Sequence, residues 1–269
     1  MFITLARATW RRHRHLRWTL AAGTFLMGLL LAGTYQAFGT GLLPQSVIDQ
    51  FSTLKVFDAF TGSGVNLLEP EGWLGFGYVH PFTLILVVSW IVSVSAASVA
   101  REVEDGTIEF LASRPVDRRI IVGARYAAWL VGMLALFAST YLGTAAGIVF
   151  FDALAGFSLL KALYFPLSLV PAALLLGGLA FLVSSAVSTR SRVFAIVVGV
   201  TAASYFLNFA ASLWDPLEPF APLSLFHYVT PAQWALHGVD WPPAVIMSGI
   251  GLALLAAAMV VIDRRDIAR

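Results

Sequence analysis

The chain contains no cysteine, so no disulfide framework holds it together and no thiolate metal site exists. Charge is scarce as well. Asp, Glu, Lys and Arg make up 12% of the 269 residues, about half the roughly 25% of a soluble domain. Lysine occurs only at Lys55 and Lys161, and no Gly-Lys dipeptide is present. That absence removes the G-x-x-x-x-G-K-[ST] phosphate loop, so ATP hydrolysis through such a loop is excluded. Neither H-E-x-x-H nor the G-x-S-x-G elbow occurs. His13, His15, His80, His227 and His237 are scattered, and no metal site is expected among them.

Charge is missing above all from the middle of the apolar runs. An ionised side chain at the bilayer centre costs about 3 kcal/mol on insertion scales and marks an ion or proton path. Within the runs the polar residues are mild: Ser89, Ser93, Ser95, Thr140, Ser168, Thr201, Ser204 and Asn208. No proton relay is legible. An ion-driven transporter or channel, or an integral-membrane enzyme, remains the alternative class and lacks the convergent polar groups it needs.

What the chain has is apolar surface. It is 59% hydrophobic with a mean hydropathy of +0.82. A transmembrane helix needs about 20 predominantly apolar residues, and six runs meet that length: Trp18–Phe38, Phe82–Ala100, Tyr126–Phe151, Ala162–Val187, Val193–Leu213 and Ala244–Ile262. The expectation is one all-α integral membrane domain over residues 1–269. The first run is long enough to span and no A-x-A cleavage signal follows it, so it reads as a retained span. All 15 arginines fall in alternate connecting segments: Arg7 to Arg17, Arg101 to Arg125, Arg190 and Arg192, and Arg264 to Arg269. Cytoplasmic segments retain Lys and Arg, so both termini are placed in the cytoplasm. The basic balance needs no nucleic-acid partner.

Residues 2–17 are expected to form an amphipathic helix at the membrane interface. Arg7, Arg11 and Arg14 lie on one face and Phe2, Leu5, Ala6, Thr9 and Leu16 on the other, with Arg12 off the charged face. The first outer segment, 39–81, suggests a short helix over Leu42–Phe60. It then carries Trp73, Phe76 and Tyr78, suited to the outer head-group level. Pro166 and Pro171 predict a kink near the outer end of span 4, and Gly177 and Gly178 allow close helix approach. Pro216, Pro219, Pro222 and Pro231 break the segment between spans 5 and 6 into short outer helices such as Thr230–His237.

Between spans 2 and 3 the sequence runs Ala100-Arg-Glu-Val-Glu-Asp-Gly-Thr-Ile-Glu-Phe-Leu-Ala-Ser-Arg-Pro-Val-Asp-Arg-Arg119. Asp105 is expected to cap a short helix with Glu109 near its start. Ile108, Leu111 and Ala112 form its apolar face, and Pro115 ends it by restricting Arg114. Asp117 is expected to cap the next helix, and Arg118, Arg119 and Arg125 to anchor its membrane end.

This stretch resembles the loop after span 2 in type-2 ATP-binding-cassette (ABC) exporter permeases. The matching positions are Glu102, Glu104, Gly106, Thr107, Glu109, Leu111, Pro115 and Arg118 or Arg119. Asp263-Arg-Arg-Asp-Ile267 after span 6 is similar to the closing Arg-Asp pair of such permeases. The resemblance implies a permease subunit whose coupling helix docks on a separate ATPase. Its ATPase-coupling residues would be Glu102, Glu104, Asp105, Gly106, Thr107, Ile108, Glu109, Leu111, Arg114 and Pro115. It implies no cofactor in this chain, with ATP and Mg on the partner. The expected partners are two copies of the ABC ATPase, a second permease, identical or homologous, and membrane lipid. The expected setting is a multi-pass position in a prokaryotic plasma membrane. An apolar or amphipathic cargo (drug, antibiotic or lipid-like) would meet Trp90, Phe137, Tyr205 or Asn208 along the path, with Phe206 beside them.

Overall fold

The computed structural model describes residues 1–39, 65–107 and 117–265. The expected helix over Leu42–Phe60, the coupling residues Ile108, Glu109, Leu111, Arg114 and Pro115, and the closing residues 266–267 lie outside them.

The N-terminal helix α1 (Phe2–Arg12) is shorter than expected. It gives way at His13, and Arg14 already opens the first spanning helix, α2 (Arg14–Gly39). Arg17 fixes this corner. Its guanidinium lies 3.5 Å from the centre of the Trp10 ring and donates from Nη1 to the Trp10 carbonyl at 2.9 Å. A buried arginine stacked on an indole and bonded to a free helix-end carbonyl is a stable arrangement.

The second span is not a single straight helix. It consists of α3 (Pro70–Val79) and α4 (Pro81–Ala96), bent by 42° at His80. Each begins with a proline, which suits a first helical turn because it has no N–H to leave unpaired. The helix stops at Ala96, short of the expected Ala100. After three turn residues the five-residue α5 (Ala100–Glu104) follows. Tyr78 is not an interface residue: it is fully buried and its hydroxyl meets that of Thr144 at 2.8 Å. Trp73 donates to the Leu31 carbonyl at 3.0 Å.

The third span, α6 (Arg118–Phe150), starts eight residues before the apolar run, capped as expected by Asp117 on the Arg119 N–H. Its 33 residues measure about 50 Å at 1.5 Å per residue, against a hydrocarbon core of about 30 Å. Arg118, Arg119 and Arg125 therefore sit on a helix that outruns the apolar layer. The fourth span is broken at Leu169 into α7 (Leu159–Ser168) and α8 (Val170–Ala186), with Pro166 and Pro171 on either side, as the sequence predicts. Then follow α9 (Arg190–Leu213), two 3-10 helices (Asp215–Leu223 and Leu225–Tyr228), α10 (Pro231–His237) and α11 (Trp241–Arg264).

Among the described residues there is no strand. Five helices are long and apolar enough to cross a membrane, and the bent pair α3–α4 makes six. The chain is an all-α integral membrane protein. Two tight pairings organise it. On α8 and α11, a Cβ at Gly178 would lie 2.1 Å from the Gly251 carbonyl oxygen, so only glycine permits that approach. On α2 and α6, Gly143 similarly faces the Phe25 carbonyl. The centre is aromatic: Trp90 of α4, Tyr126 and Trp129 of α6 and Phe181 of α8 are all buried, with Tyr126 and Trp129 ring centres 4.9 Å apart. The span with the least burial is α9, whose Phe194 and Phe206 face outward.

Candidate functional site

The site begins where α4 ends. The hydroxyl of Ser184, on α8, accepts the N–H groups of Val99 and Ala100, both at 3.2 Å. These donors open α5 and would otherwise be unpaired in a buried place, so Ser184 fixes where α5 starts. The fixed helix then carries Arg101-Glu-Val-Glu-Asp105, with three acids pointing to three different elements.

Glu102 turns inward. Its Oε1 accepts Nη2 of Arg125 on α6 at 2.9 Å and lies 3.6 Å from Nη1 of Arg12 on α1. Its Oε2 accepts the hydroxyl of Thr107. Glu104 turns sideways to the start of α9, where Oε2 accepts both the N–H and the Nε of Arg190 at 3.0 Å. These two bonds, the backbone one first, hold the Glu104 carboxyl below its ordinary value of 4.5. Asp105 follows the last turn of α5 and accepts from Arg101 at 3.1 Å. It therefore stands at the closing end of α5; the helix it was expected to open lies outside the described residues. Gly106 has φ +68°, a left-handed conformation that favours glycine. That turn brings Thr107 back over Glu102.

Burial ranks these contacts. Arg125 and Glu102 side chains are 9% and 14% exposed. Removing one partner of such a pair strands the other charge and costs about 3–5 kcal/mol. The exposed Arg101–Asp105 pair is worth about 0–1 kcal/mol. The strong bond of the segment is therefore the one to α6. His13 borders the same cluster, with its ring edge-on to Trp90. Burial, then the charges of Arg12, Arg101 and Arg17, push its pKa down to about 4, so it is neutral near pH 7.

A second set of contacts ties the remaining helix ends. Arg265 donates to the carbonyls of Ser185 and Val187 at 2.8 and 3.0 Å and to the Ser188 hydroxyl at 2.9 Å. It thus covers the end of α8, where a cation is favoured. Asp263 pairs with Arg119 at 2.7 Å.

Of the coupling residues expected from sequence, Glu102, Glu104, Asp105, Gly106 and Thr107 come together here. Their cationic partners Arg12, Arg125 and Arg190 were not expected. A signal for one of them is present in the chain. Arg125 stands six residues beyond Arg119 within Ile-Ile-Val-Gly-Ala-Arg-Tyr-Ala-Ala-Trp, and an arginine so placed needs a counter-ion.

The path residues separate. Trp90 is 1% exposed, with its indole on the Trp129 carbonyl at 3.0 Å, and Phe137 is 5% exposed. Both are packed inside this chain. Tyr205 lies edge-on to Phe226, 5.4 Å between centres. Asn208 lines an open cavity of about 740 Å³ near the far end of α9 from Arg190, beside Asp215, Glu218, Trp234 and Asp240. An adjoining cavity of about 890 Å³ is lined largely by apolar residues, including Val200, Ile246 and Met247.

The family model described as "ABC-2 family transporter protein" matches residues 3–267 of the chain. No curated protein and no solved structure matches it. An all-α membrane architecture, the acidic Glu-x-Glu-Asp-Gly-Thr segment held at the Arg-bearing ends of the spans, and a family match over nearly the full length agree, and the chain belongs to the ABC-2 transporter family as a transmembrane permease component.

Proposed function

We propose that this chain forms the membrane path of an ABC exporter and takes its driving force from a separate ATPase docked at the segment that begins with Glu102. One observation carries this reading. Three acids within four residues are bonded to α1, α6, α9 and α5's own Arg101. A displacement of this short segment is therefore transmitted to several spans at once. An ATPase that binds ATP and Mg supplies the free energy, which suits a chain with no phosphate loop of its own.

In this reading two such permeases, identical or homologous, face each other and bind two ATPase copies in a prokaryotic plasma membrane, with both termini cytoplasmic. Residues 1–269 form one domain. Gly106, Thr107 and residues 108–115 provide the docking element, and Glu102 and Glu104 link it to the spans. The cargo is apolar or amphipathic. The paired outer cavities, one polar beside Asn208 and one apolar beside Met247, support that class.

Purification of the tagged chain in mild detergent, followed by mass spectrometry, tests the reading. A near-stoichiometric ATPase with a phosphate loop is the expected partner, and a second six-span chain, if present, makes the permease pair a heterodimer. Recovery of the chain with no ATPase, under conditions that preserve other membrane complexes, overturns it. The double variant Glu104→Lys, Asp105→Lys is expected to lose the partner or its transport activity.

A further inference from the structure

Two exposed arginines of α1, Arg7 and Arg11, have neither a hydrogen bond nor an ion pair among the described residues. Their neighbours are engaged. Arg12 meets Glu102, and Arg14, beyond the break at His13, donates its Nε to His15 at 3.0 Å. No Asp or Glu occurs before Asp49 in the chain. The half-buried Leu5, Ala6, Thr9 and Trp10 form the packed side of α1, and Phe2 lies over Gly123 of α6, where a Cβ would come within 3.6 Å of its ring. Ile3, Arg7 and Arg11 recur at i, i+4 and i+8, so they form one stripe along the helix. That stripe is exposed throughout, Ile3 by 63%.

The corner with α2 fixes where the stripe lies. The spanning helix α2 opens at Arg14, so the break at His13 stands at a membrane boundary. Arg17 locks that corner through its stack on Trp10 and its bond to the Trp10 carbonyl. Trp18, 69% exposed, has the amphipathic ring that settles at head-group depth. The helix α1 therefore leaves the span at the level of the lipid head groups. A basic helix with apolar residues beside its charges binds there through both. Arg7 and Arg11 stand about 6 Å apart along the axis, and the guanidinium fork matches phosphate oxygens.

We propose that Arg7 and Arg11 form a binding surface for the phosphate of anionic lipid head groups, with Ile3 in the apolar zone beneath them. Arg12, on another side of the same helix, pairs with Glu102 at 3.6 Å. Lipid held by α1 thus fixes one wall of the Glu102 cluster to the membrane surface. The contact needs only the position of the chain in a membrane, and no ATPase.

The whole chain, free of cysteine, is reconstituted in vesicles with a single thiol, Ala8→Cys, on the exposed part of α1. A fluorophore on that thiol is quenched by lipid brominated in its acyl chains. The brominated lipid is phosphatidylglycerol in one series and phosphatidylcholine in the other, at the same overall mixture of the two. The ratio of quenching reads the local preference for the anionic head group. A preference of at least about fivefold is expected, equivalent to about 1 kcal/mol for one arginine at an anionic surface. It is expected to fall to near parity when Arg7→Gln and Arg11→Gln are combined, and to persist when Arg7→Lys and Arg11→Lys are combined, because the surface reads charge. Arg192→Gln, which removes an exposed charge from the first turn of α9, is expected to leave it unchanged.

Melting temperature is expected to stay the same in the Gln pair, since neither arginine loses a partner among the described residues. The single Gln variants, each expected to lose part of the preference, keep the reading if the pair unfolds. Equal quenching by the two lipids in the unmodified chain, no quenching by either, or a preference that survives in the Gln variants overturns the proposal. Loss of the preference to added inorganic phosphate assigns the arginines to a free anion and overturns it as well.

Discussion

The carboxylate of Glu104 accepts both the backbone N–H and the Nε of Arg190, each at 3.0 Å, across a separation of 86 residues. Arg190 is the first residue of α9, and Thr189 before it makes no side-chain cap. Glu104 supplies that cap from another element, where an anion is favoured at a helix N-terminus. The span α9 is the least buried, and this contact ties its first residue to the end of α5. The bonds hold the Glu104 carboxyl below its ordinary 4.5. A depressed carboxyl contributes fully above the unfolded value and is lost as pH falls through the folded one. A spin label on Ser191→Cys is therefore expected to stay immobile at neutral pH and to loosen only below the ordinary glutamate range. In Glu104→Gln it is expected to be loose at neutral pH as well. A label equally immobile in both proteins across the titration counts against the latch.

His13 predicts a second pH dependence, in a different window. Its pKa falls from 6.5 to about 4 on folding, chiefly through burial and then through Arg12, Arg101 and Arg17. Between those values the unfolded chain binds the proton and the folded one does not, so stability is full above pH 6.5 and declines as pH drops toward 4. Melting temperatures in detergent should follow this course. His13→Gln should flatten the part of the curve between the two values, and an unchanged curve would remove His13 as its source.

The approach of α8 to α11 predicts a sharp contrast between glycines. A Cβ at Gly178 meets the Gly251 carbonyl oxygen at 2.1 Å, and one at Gly251 meets the Leu174 carbonyl oxygen at 2.4 Å. These are backbone atoms, so relief requires the helices to separate. Gly178→Ala or Gly251→Ala should destabilise by about 1–3 kcal/mol, the range for overpacked cores. Gly199 on α9 has open space around it. Gly199→Ala should be neutral or stabilising by up to about 1 kcal/mol, since alanine is the better helix former. Thermal unfolding of the three variants decides this, and equal behaviour would refute the close packing.

The cysteine-free chain makes its sidedness directly measurable. Ser191→Cys, at the Arg-bearing end, should react with an impermeant thiol reagent only from the cytoplasmic side. Ala155→Cys, at the other end, should react only from outside. Reaction of both from one side would contradict the topology read from the arginines.

Several features follow from local chemistry alone. Apolar length yields the spans, because a backbone in hydrocarbon has to satisfy its own hydrogen bonds and the helix does so within a continuous segment. The alternating arginines divide the connecting segments into two sets. Asp117, Pro166 and Pro171 act within a turn of their own positions, and each does what it does in isolation: a cap on the Arg119 N–H and a break at Leu169. The Glu-x-Glu-Asp-Gly-Thr run marks the segment proposed to dock the ATPase.

The tertiary structure decided what each of those residues faces. Hydropathy does not register a bend such as the one at His80, because both halves of the span are apolar, and it carries Tyr78 into the core beside Thr144. Trp90 reads as a ring suited to a path, yet it is buried, bonded to the Trp129 carbonyl and edge-on to His13. Above all, the acids at 102, 104 and 105 look alike in sequence. Only the fold separates Glu102, enclosed with Arg125, from Glu104 at the α9 end and Asp105 on its own helix. The reason is physical: the energy of a charge depends on its depth and on the partner that reaches it. Residue 102 meets 12 and 125, and residue 104 meets 190, only when the helices that carry them are packed.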